Sequence, residues 1–257
     1  MDLGLTGKRA LVLGASRGLG AAIARVLAEE GAEVVAAARS EDKIRDWADG
    51  TDGKVTALGL DLSDAGAIDA ALDDLLAEGG IDIVVNNAGG PPPGKTTDAS
   101  REDWMGHFET MVANLIHVTN RVLPGMRESG WGRVVTITSS GVEQPIPNLA
   151  LSNGLRSALV GWSKSLSNEV AADGITVNVV MPGRIHTQRV DELDAAASKR
   201  TGKPVEEVAA ASAAAIPAGR YGRPEEFADV VAFLCSERAS YVTGSKIRID
   251  GGSIKSI

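Results

Sequence analysis

Two polar residues one helical turn apart are the first candidates for chemistry. Ser152 and Arg156 lie in the segment LSNGLRSALVGWSKSL (151–166), whose spacing of apolar residues predicts a helix. At positions i and i+4 they share one helix face. The serine hydroxyl can therefore donate a hydrogen bond to a substrate oxygen beside a fixed positive charge, an arrangement that can stabilise an oxyanion.

Neither residue suits proton transfer at neutral pH. A serine hydroxyl is a much weaker acid than a phenol, and general acid–base catalysis works best when the pKa of the group lies near the working pH. Arginine stays protonated in proteins, so Arg156 can bind but cannot relay a proton. From the sequence, its five donors suit either the ribose hydroxyls of a cofactor or a carboxylate of a substrate.

A glycine-rich turn is a candidate phosphate-binding site. The segment GASRGLG (14–20) follows the apolar run RALVL and opens a segment of helical period. Gly14, Gly18 and Gly20 let the backbone approach a pyrophosphate closely, while the helix N-terminus supplies N–H groups and a positive dipole. The spacing differs from G-x-G-x-x-G, and tight turns alone also select glycine. The prediction therefore depends on the position of the turn between the first strand and the first helix.

Two arginines near this turn indicate which dinucleotide binds. At the end of the second predicted strand, where an acidic residue would bind a ribose 2′-hydroxyl, Ala38 is followed by Arg39. A guanidinium can pair with a 2′-phosphate, which a carboxylate would repel. Arg17 in the glycine-rich turn is a second candidate partner. Each arginine alone is also compatible with a solvated surface group, but both flank one predicted pocket, and we expect NADP(H) to be preferred over NAD(H).

The elements that must position these residues alternate along the chain. Short apolar runs such as RALVLG, AEVVAAA and IDIVVNN are separated by longer segments of helical period. Strands that are apolar on both faces indicate a parallel sheet between two helix layers. We predict an α/β fold: a single doubly wound Rossmann-type domain over residues 1–257 with helices on both faces. An insertion at about 184–223 is either a lid over the substrate or a surface segment without a role in binding.

Composition and charge argue against several classes of protein. The 257 residues, 44% hydrophobic and 23% charged, are typical of a soluble globular protein. A formal net charge of −8 argues against a surface that binds nucleic acid or anionic membranes. Cys235 is the single cysteine, no Cys/His cluster has zinc-ligand spacing, and no apolar run reaches the length of a membrane span. We therefore expect a cytoplasmic protein without a metal site.

Taken together, the motifs resemble those of the classical short-chain dehydrogenase/reductase family. In order, the matching segments are GASRGLG (14–20), DL (61–62), NNAG (86–89), VVTITSS (134–140), PGRIHT (182–187) and the tail GRPEEFADVVAFLCSERASYVTGSKIRIDGG. Order and spacing agree over nearly the whole chain, and the sequence is similar to 3-oxoacyl-acyl carrier protein reductases. The resemblance implies a small-molecule substrate bound above the C-terminal strand ends. It also implies a homo-oligomer, either a tetramer or a dimer.

The resemblance also assigns the cofactor contacts along the chain. The implied cofactor-binding residues are Gly14, Ser16, Arg17, Gly18, Leu19, Gly20 and Arg39 at the phosphates, Asp61 and Leu62 beside the adenine, Asn87, Ala88 and Gly89 along the cleft, and Pro182, Gly183, Ile185 and Thr187 at the nicotinamide end.

The resemblance breaks at the catalytic positions. The family uses Asn, Ser, Tyr and Lys, with the tyrosine as acid–base and the lysine lowering its pKa while holding the ribose. The serine corresponds to Ser139, but the tyrosine and lysine positions hold Ser152 and Arg156, and Met111 stands in place of the asparagine. Three of the four catalytic positions have changed, so the family mechanism does not transfer directly.

His186 is a candidate for the missing proton donor. Its unperturbed pKa suits proton transfer, and its neighbours in PGRIHT border the nicotinamide site by resemblance. The alternative is a solvated loop histidine. Tyr221 and Tyr241 do not map near the reactive edge of the sheet by the same resemblance. The predicted catalytic residues are Ser139, Ser152, Arg156 and His186.

Three functions remain open at this point. The first is an NADP-dependent oxidoreductase that acts on a carbonyl or alcohol through this altered site. It is favoured because hydride transfer depends chiefly on positioning, and every positioning motif is present. The second is a non-redox enzyme on the same scaffold, such as a lyase, dehydratase or cyclase. The third is a cofactor-binding subunit without catalysis.

Overall fold

A seven-stranded sheet forms the centre of the molecule. The computed structural model describes residues 1–257. The strands are β1 (Arg9–Leu13), β2 (Glu33–Ala38), β3 (Lys54–Gly59), β4 (Ile83–Asn86), β5 (Gly132–Ile137), β6 (Ile175–Pro182) and β7 (Lys246–Ile249). All neighbouring strands are parallel, in the order β3-β2-β1-β4-β5-β6-β7. The predicted α/β fold with a central parallel sheet is confirmed.

Helices cover both faces of this sheet. They are α1 (Gly18–Glu29), α2 (Glu41–Ala48), α3 (Ala65–Glu78), α4 (Arg101–Phe108), α5 (Asn114–Ser129), α6 (Ala150–Val170), α7 (Gln188–Thr201), α8 (Val205–Ala214) and α9 (Pro224–Cys235). Helices α1, α2 and α9 contribute to one hydrophobic core, and α3, α5 and α6 contribute to the other. The structure therefore has the doubly wound arrangement that the apolar strands predict.

Strand β1 illustrates why these runs are apolar at every position. Ala10 and Val12 belong to the core on the α1 side, whereas Leu11 and Leu13 belong to the core on the α5 side. Successive strand residues point to opposite faces. A strand between two helix layers therefore needs an apolar residue at each position, and these four are fully buried.

Local sequence signals set several helix starts. Ser100 and Asp103 form a reciprocal capping box at the start of α4. Asp64 caps α3 by accepting a hydrogen bond from the N–H of Ala67. Helix α5 ends at Gly130, whose φ of 64° is the left-handed conformation common after a helix.

The order of the strands positions the site. The chain leaves β3 at one edge of the sheet and returns to place β4 beside β1. The connections after β1 and β4 therefore diverge and leave a crevice at the carboxyl ends of the two strands. The glycine-rich turn follows β1 and the NNAG segment follows β4, so both lie at this crevice.

The helix predicted from about Arg101 to Arg127 contains an irregular turn. Between α4 and α5, residues Glu109–Ala113 form a π-helical turn. Met111 lies in this turn and is buried, with 2% of its surface exposed. Periodicity does not reveal such a turn, because it adds one residue without breaking the helix.

The predicted insertion at 184–223 contains α7 and α8, connected by a short loop. Asp194 of α7 is 2% exposed and accepts hydrogen bonds from Arg184 and from the hydroxyl of Tyr221, at 2.5 and 2.7 Å. These bonds tie the helix to both ends of the insertion. None of the helices in this structure combines the length and apolar character needed to cross a bilayer.

Candidate active site

The glycine-rich turn has the geometry of a phosphate cradle. Gly14 and Gly18 have φ angles of 64° and 59°, a region that L side chains rarely adopt. A Cβ at Gly14 would lie 2.6 Å from the carbonyl oxygen of Asn87, and one at Gly20 would collide with the carbonyl oxygen of Gly14. Helix α1 begins here without a side-chain cap. Its first N–H groups are thus available to an anion, and the turn fits a dinucleotide diphosphate.

The two sides of the crevice are connected by Asn87. Its Nδ2 donates to the carbonyl oxygens of Leu13 and Gly14, each at 3.2 Å. The preceding Asn86 is buried and donates to the Oγ1 of Thr119 at 2.9 Å, which anchors the end of β4 to α5. The NNAG segment therefore holds the glycine-rich turn in place across the crevice.

The residues predicted to border the adenosine follow strands β2 and β3. Arg39 directly follows β2, is exposed and forms no ion pair with a carboxylate. Asp61 accepts hydrogen bonds from the N–H and hydroxyl of Ser63, which lower the pKa of its carboxyl; Arg39 contributes a smaller electrostatic effect in the same direction. Leu62 accepts a hydrogen bond through its carbonyl oxygen from Asn114 at 2.8 Å.

Arg17 does not project freely into solvent. Its Nη1 lies 3.5 Å from a carboxylate oxygen of Glu192 on α7. Thr187, at the start of the same helix, lies against the turn, since a Cβ at Gly18 would be 3.6 Å from its Cγ2. The predicted nicotinamide segment and the glycine-rich turn are therefore brought together across the crevice.

The rest of the PGRIHT segment is held by the end of the sheet. Pro182 is the last residue of β6, and Gly183 donates its N–H to the carbonyl oxygen of Ile249 at 2.9 Å. Ile185 is buried and forms an isolated β-bridge with Gly222. These contacts fix the direction in which α7 leaves the sheet.

Arg156 is buried at the centre of the candidate catalytic site. It is 9% exposed, and it donates to the carbonyl oxygens of Ile137 at 2.9 Å and Ala88 at 3.2 Å. Burial lowers the pKa of this guanidinium to about 10, and the nearby Arg189 acts in the same direction. The side chain remains cationic at neutral pH and is fixed between the ends of β4 and β5.

The two serines lie on the segments that hold this cation, Ser152 on α6 and Ser139 two residues after Ile137. Ser152 is 9% exposed, one turn before Arg156 on α6, and its hydroxyl forms no hydrogen bond within the protein. Ser139 follows β5 by two residues and accepts a hydrogen bond from the N–H of Gly141 at 3.0 Å. That bond leaves the hydroxyl proton of Ser139 free to donate to a ligand.

His186 lies on the outer side of the insertion. Its side chain is 68% exposed, its Nε2 is 3.5 Å from Asp191, and no hydrogen bond or ion pair connects it to Ser139, Ser152 or Arg156. Together with Tyr221 it lines a cavity of about 550 Å³ between α7 and α8. The two rings have centroids 6.4 Å apart, a proximity that sequence reasoning did not anticipate.

Tyr221 cannot replace the missing acid–base tyrosine from this position. Burial raises the pKa of its hydroxyl, as does the hydrogen bond that it donates to Asp194. It stays protonated and bound to a buried carboxylate that already pairs with Arg184. Tyr241, the second tyrosine, is fully exposed before β7.

Sequence reasoning missed Arg189 of α7. Its Nη2 donates to the carbonyl oxygen of Pro91 at 2.8 Å, and its Nη1 lies 3.6 Å from Glu192. Arg189 comes two residues after the PGRIHT segment. Its positive charge is the only feature of the sequence that points to a role at this site. The side chain of Arg189 lies near Arg156 because α7 folds back over the segment that follows NNAG, and this path is not visible in the sequence.

The fold and this crevice define a dinucleotide-binding Rossmann-type protein, and comparison with known proteins specifies its family. A family model described as enoyl-(acyl carrier protein) reductase matches residues 14–253. The 3-oxoacyl-[acyl-carrier-protein] reductase of Vibrio cholerae is 37% identical over 255 residues, which covers 97% of this chain and 98% of the relative.

Two solved structures show the same similarity in three dimensions. L-sorbose reductase from Gluconobacter frateurii, complexed with NADPH and L-sorbose, superposes with a TM-score of 0.93 at 33% identity and 100% coverage of both chains. YwfH, an NADPH-dependent reductase involved in bacilysin biosynthesis, gives a TM-score of 0.91 at 32% identity, covering 97% of this chain and 99% of YwfH. The chain belongs to the short-chain dehydrogenase/reductase family of NAD(P)-dependent oxidoreductases.

Proposed function

We propose that the protein is an NADP(H)-dependent reductase of a carbonyl substrate, with Ser152 and Arg156 in place of the family's tyrosine and lysine. The observation that carries the proposal is the buried cation of Arg156, held between the ends of β4 and β5, with Ser152 one turn before it on α6. A fixed positive charge in a site of low polarity stabilises the negative charge that develops on a carbonyl oxygen during reduction.

The cofactor would occupy the crevice between β1 and β4. The glycine-rich turn and α1 hold its diphosphate, while Arg39 and Arg17 bind the 2′-phosphate of NADPH. Asp61 and Leu62 border the adenine, residues 87–89 line the cleft, and Pro182, Gly183, Ile185 and Thr187 meet the nicotinamide. When bound, the cofactor supplies a hydride to the carbonyl carbon. The NADPH-bound L-sorbose reductase and the NADPH-dependent YwfH support the preference for the phosphorylated cofactor.

The catalytic residues act on the carbonyl oxygen. Ser139 and Ser152 donate hydrogen bonds to it, and Arg156 stabilises the alkoxide that forms as the carbon is reduced. One proton then completes the alcohol. Water supplies this proton, because the hydroxyl of Ser152 is too weak an acid and Arg156 keeps its protons. The exposed His186 can take part in this proton transfer only through such water, because no contact connects it to the serines.

The insertion at 184–223 acts as a lid within a single domain over residues 1–257. Its α7 contacts the glycine-rich turn through Arg17 and Glu192 and the Pro91 segment through Arg189. Contacts on both sides of the crevice suit a helix that closes over bound ligands.

A cytoplasmic homo-oligomer also belongs to the proposal: Met105 and Phe108 of α4 are 54% and 41% exposed, on the central helices through which the family pairs.

Calorimetric titration with NADPH and with NADH tests the cofactor assignment. We expect saturable binding of both, with NADPH bound more tightly. Oxidation of NADPH is then followed by absorbance with a panel of ketones, oxo acids and aldehydes. Tight NADPH binding without oxidation by any member of the panel would argue against a reductase.

A non-redox reaction is the second candidate, because Ser152 and Arg156 form a pair suited to oxyanion stabilisation and unsuited to proton relay. Turnover of a substrate that continues at the same rate after the nicotinamide has been removed would favour a lyase, dehydratase or cyclase.

A further inference from the structure

Two guanidinium groups converge on Gly90, four residues after the end of β4. A Cβ built on Gly90 would lie 3.5 Å from Nη2 of Arg189 and 3.9 Å from Nη2 of Arg156. The two cations therefore flank the same point, although one comes from α6 and the other from α7. Gly90 has no side chain, so only a hydrogen atom occupies that point.

These two cations have very little negative charge near them. Arg156 forms no ion pair, and its only acceptors are the carbonyl oxygens of Ile137 and Ala88. Arg189 has one carboxylate, Glu192 at 3.6 Å, and that carboxylate is also 3.5 Å from Arg17. One acidic group is thus shared between two arginines and leaves the third, the buried one, without a counter-charge.

A buried cation without a counter-ion is costly, and a neighbouring cation increases the cost. Neutral ribose hydroxyls would satisfy hydrogen-bond donors of Arg156 but would leave the repulsion between the two guanidinium groups in place. An anion that contacts both guanidinium groups would remove both penalties. The planar donor forks of two arginines match the oxygens of a carboxylate.

We infer that Arg156 and Arg189 bind the carboxylate of the substrate, so that the enzyme acts on oxo acids. The inference rests on the proposed reductase function. Ser152 and Arg156 are neighbours on one helix face, at the spacing where side chains i and i+4 meet. The carbonyl that Ser152 contacts must therefore be only a few bonds from the carboxylate, as in a 2-oxo or 3-oxo acid.

Calorimetry with a matched pair of ligands tests this inference. The probes are 2-oxo-4-phenylbutanoate and its ethyl ester, which differ in the negative charge, each titrated into the protein with and without NADP⁺. We expect the acid to bind about tenfold or more tightly than the ester, in line with a charge-assisted hydrogen bond. Arg189→Gln should reduce this preference to less than about twofold, because it weakens the binding of the acid and leaves the binding of the ester unchanged.

Two further variants separate the site from general effects of charge and folding. Arg200→Gln removes the same charge from the exposed far end of α7 and should leave the preference unchanged. Arg156→Lys keeps the buried charge but loses the planar donor fork. It should weaken the binding of the acid more than the binding of the ester. Circular dichroism and thermal unfolding check that each variant folds.

The outcomes distinguish this inference from the proposed function. Equal affinity for acid and ester, or no saturable binding of the acid, would overturn it. It would also be overturned if Arg189→Gln weakened the binding of NADPH and left the affinity for the acid unchanged in the NADP⁺-saturated protein. The arginines would then bind the cofactor phosphates. Failure of the reductase assignment has a different signature: the acid binds, but NADPH is neither bound nor oxidised.

Discussion

Glu192 of α7 pairs with Arg17 of the glycine-rich turn at 3.5 Å, which joins the proposed lid to that turn. The same arginine is the proposed partner of the cofactor 2′-phosphate. Under that proposal the carboxylate and the phosphate compete for one guanidinium group, so that this contact would couple the proposed lid to cofactor binding.

We predict that Glu192→Gln strengthens NADPH binding. The variant removes the competitor for Arg17 and a negative charge near the phosphates, and the effect should be about two- to fivefold, the range of an exposed ion pair. Calorimetry with NADPH and NADH measures it. Since NADH lacks the 2′-phosphate, an equal gain for both cofactors would contradict the assignment of Arg17.

Arg39→Ala should abolish the preference for NADPH. Arg39 forms no ion pair in the protein, so the variant removes a ligand contact without releasing a buried partner. We expect NADPH to bind about tenfold more weakly, as for a lost charge-assisted hydrogen bond, while the affinity for NADH is unchanged. Lys43→Ala, which removes an exposed cation from α2, is the matched control. A preference retained in Arg39→Ala would assign the 2′-phosphate to other residues.

Ser139→Ala should lower kcat roughly 100-fold, since loss of one donor to a developing oxyanion typically costs this much. The dissociation constant of NADPH should stay constant because the proposed partner of the hydroxyl is the substrate oxygen. The neighbouring Ser140, whose hydroxyl forms no hydrogen bond in the protein, provides the control Ser140→Ala. Steady-state kinetics with the best substrate from the carbonyl panel makes the comparison, and equal losses in both variants would refute a specific role for Ser139.

The binding of an oxo acid should be constant between about pH 6 and 9. Burial lowers the pKa of Arg156 only to about 10, so that the guanidinium remains charged over this range and loses its proton above it. Affinity should therefore decrease only as the pH approaches 10. Calorimetry in buffers of equal ionic strength measures the profile; a loss of affinity centred near neutral pH would point to a histidine such as His186.

Cys235 should be unreactive until the protein unfolds. The side chain is fully buried in α9, and burial raises the pKa of its thiol to about 12, so almost no reactive thiolate forms at pH 8. We expect slow reaction with a disulfide reagent in buffer and rapid reaction of one thiol per chain in guanidinium chloride. Rapid labelling of the native protein would contradict the packing of α9 against the sheet.

Much of this protein can be predicted from its sequence, because the relevant signals are local. Strands such as β1 are apolar at every position only when both faces are covered, which identifies a parallel sheet between helix layers. The glycine-rich turn requires positive φ at Gly14 and Gly18, and its place after β1 identifies the crevice. The i and i+4 spacing of Ser152 and Arg156 likewise places both on one helix face.

Other features were decided only by the tertiary structure, because they depend on contacts between segments far apart in the chain. No local pattern indicates that Arg189 reaches Pro91, 98 residues earlier, or that Arg156 lacks a counter-ion. The sequence left ribose hydroxyls and a substrate carboxylate as equal partners for Arg156. The second cation beside it, placed there by the path of α7, is what favours the carboxylate.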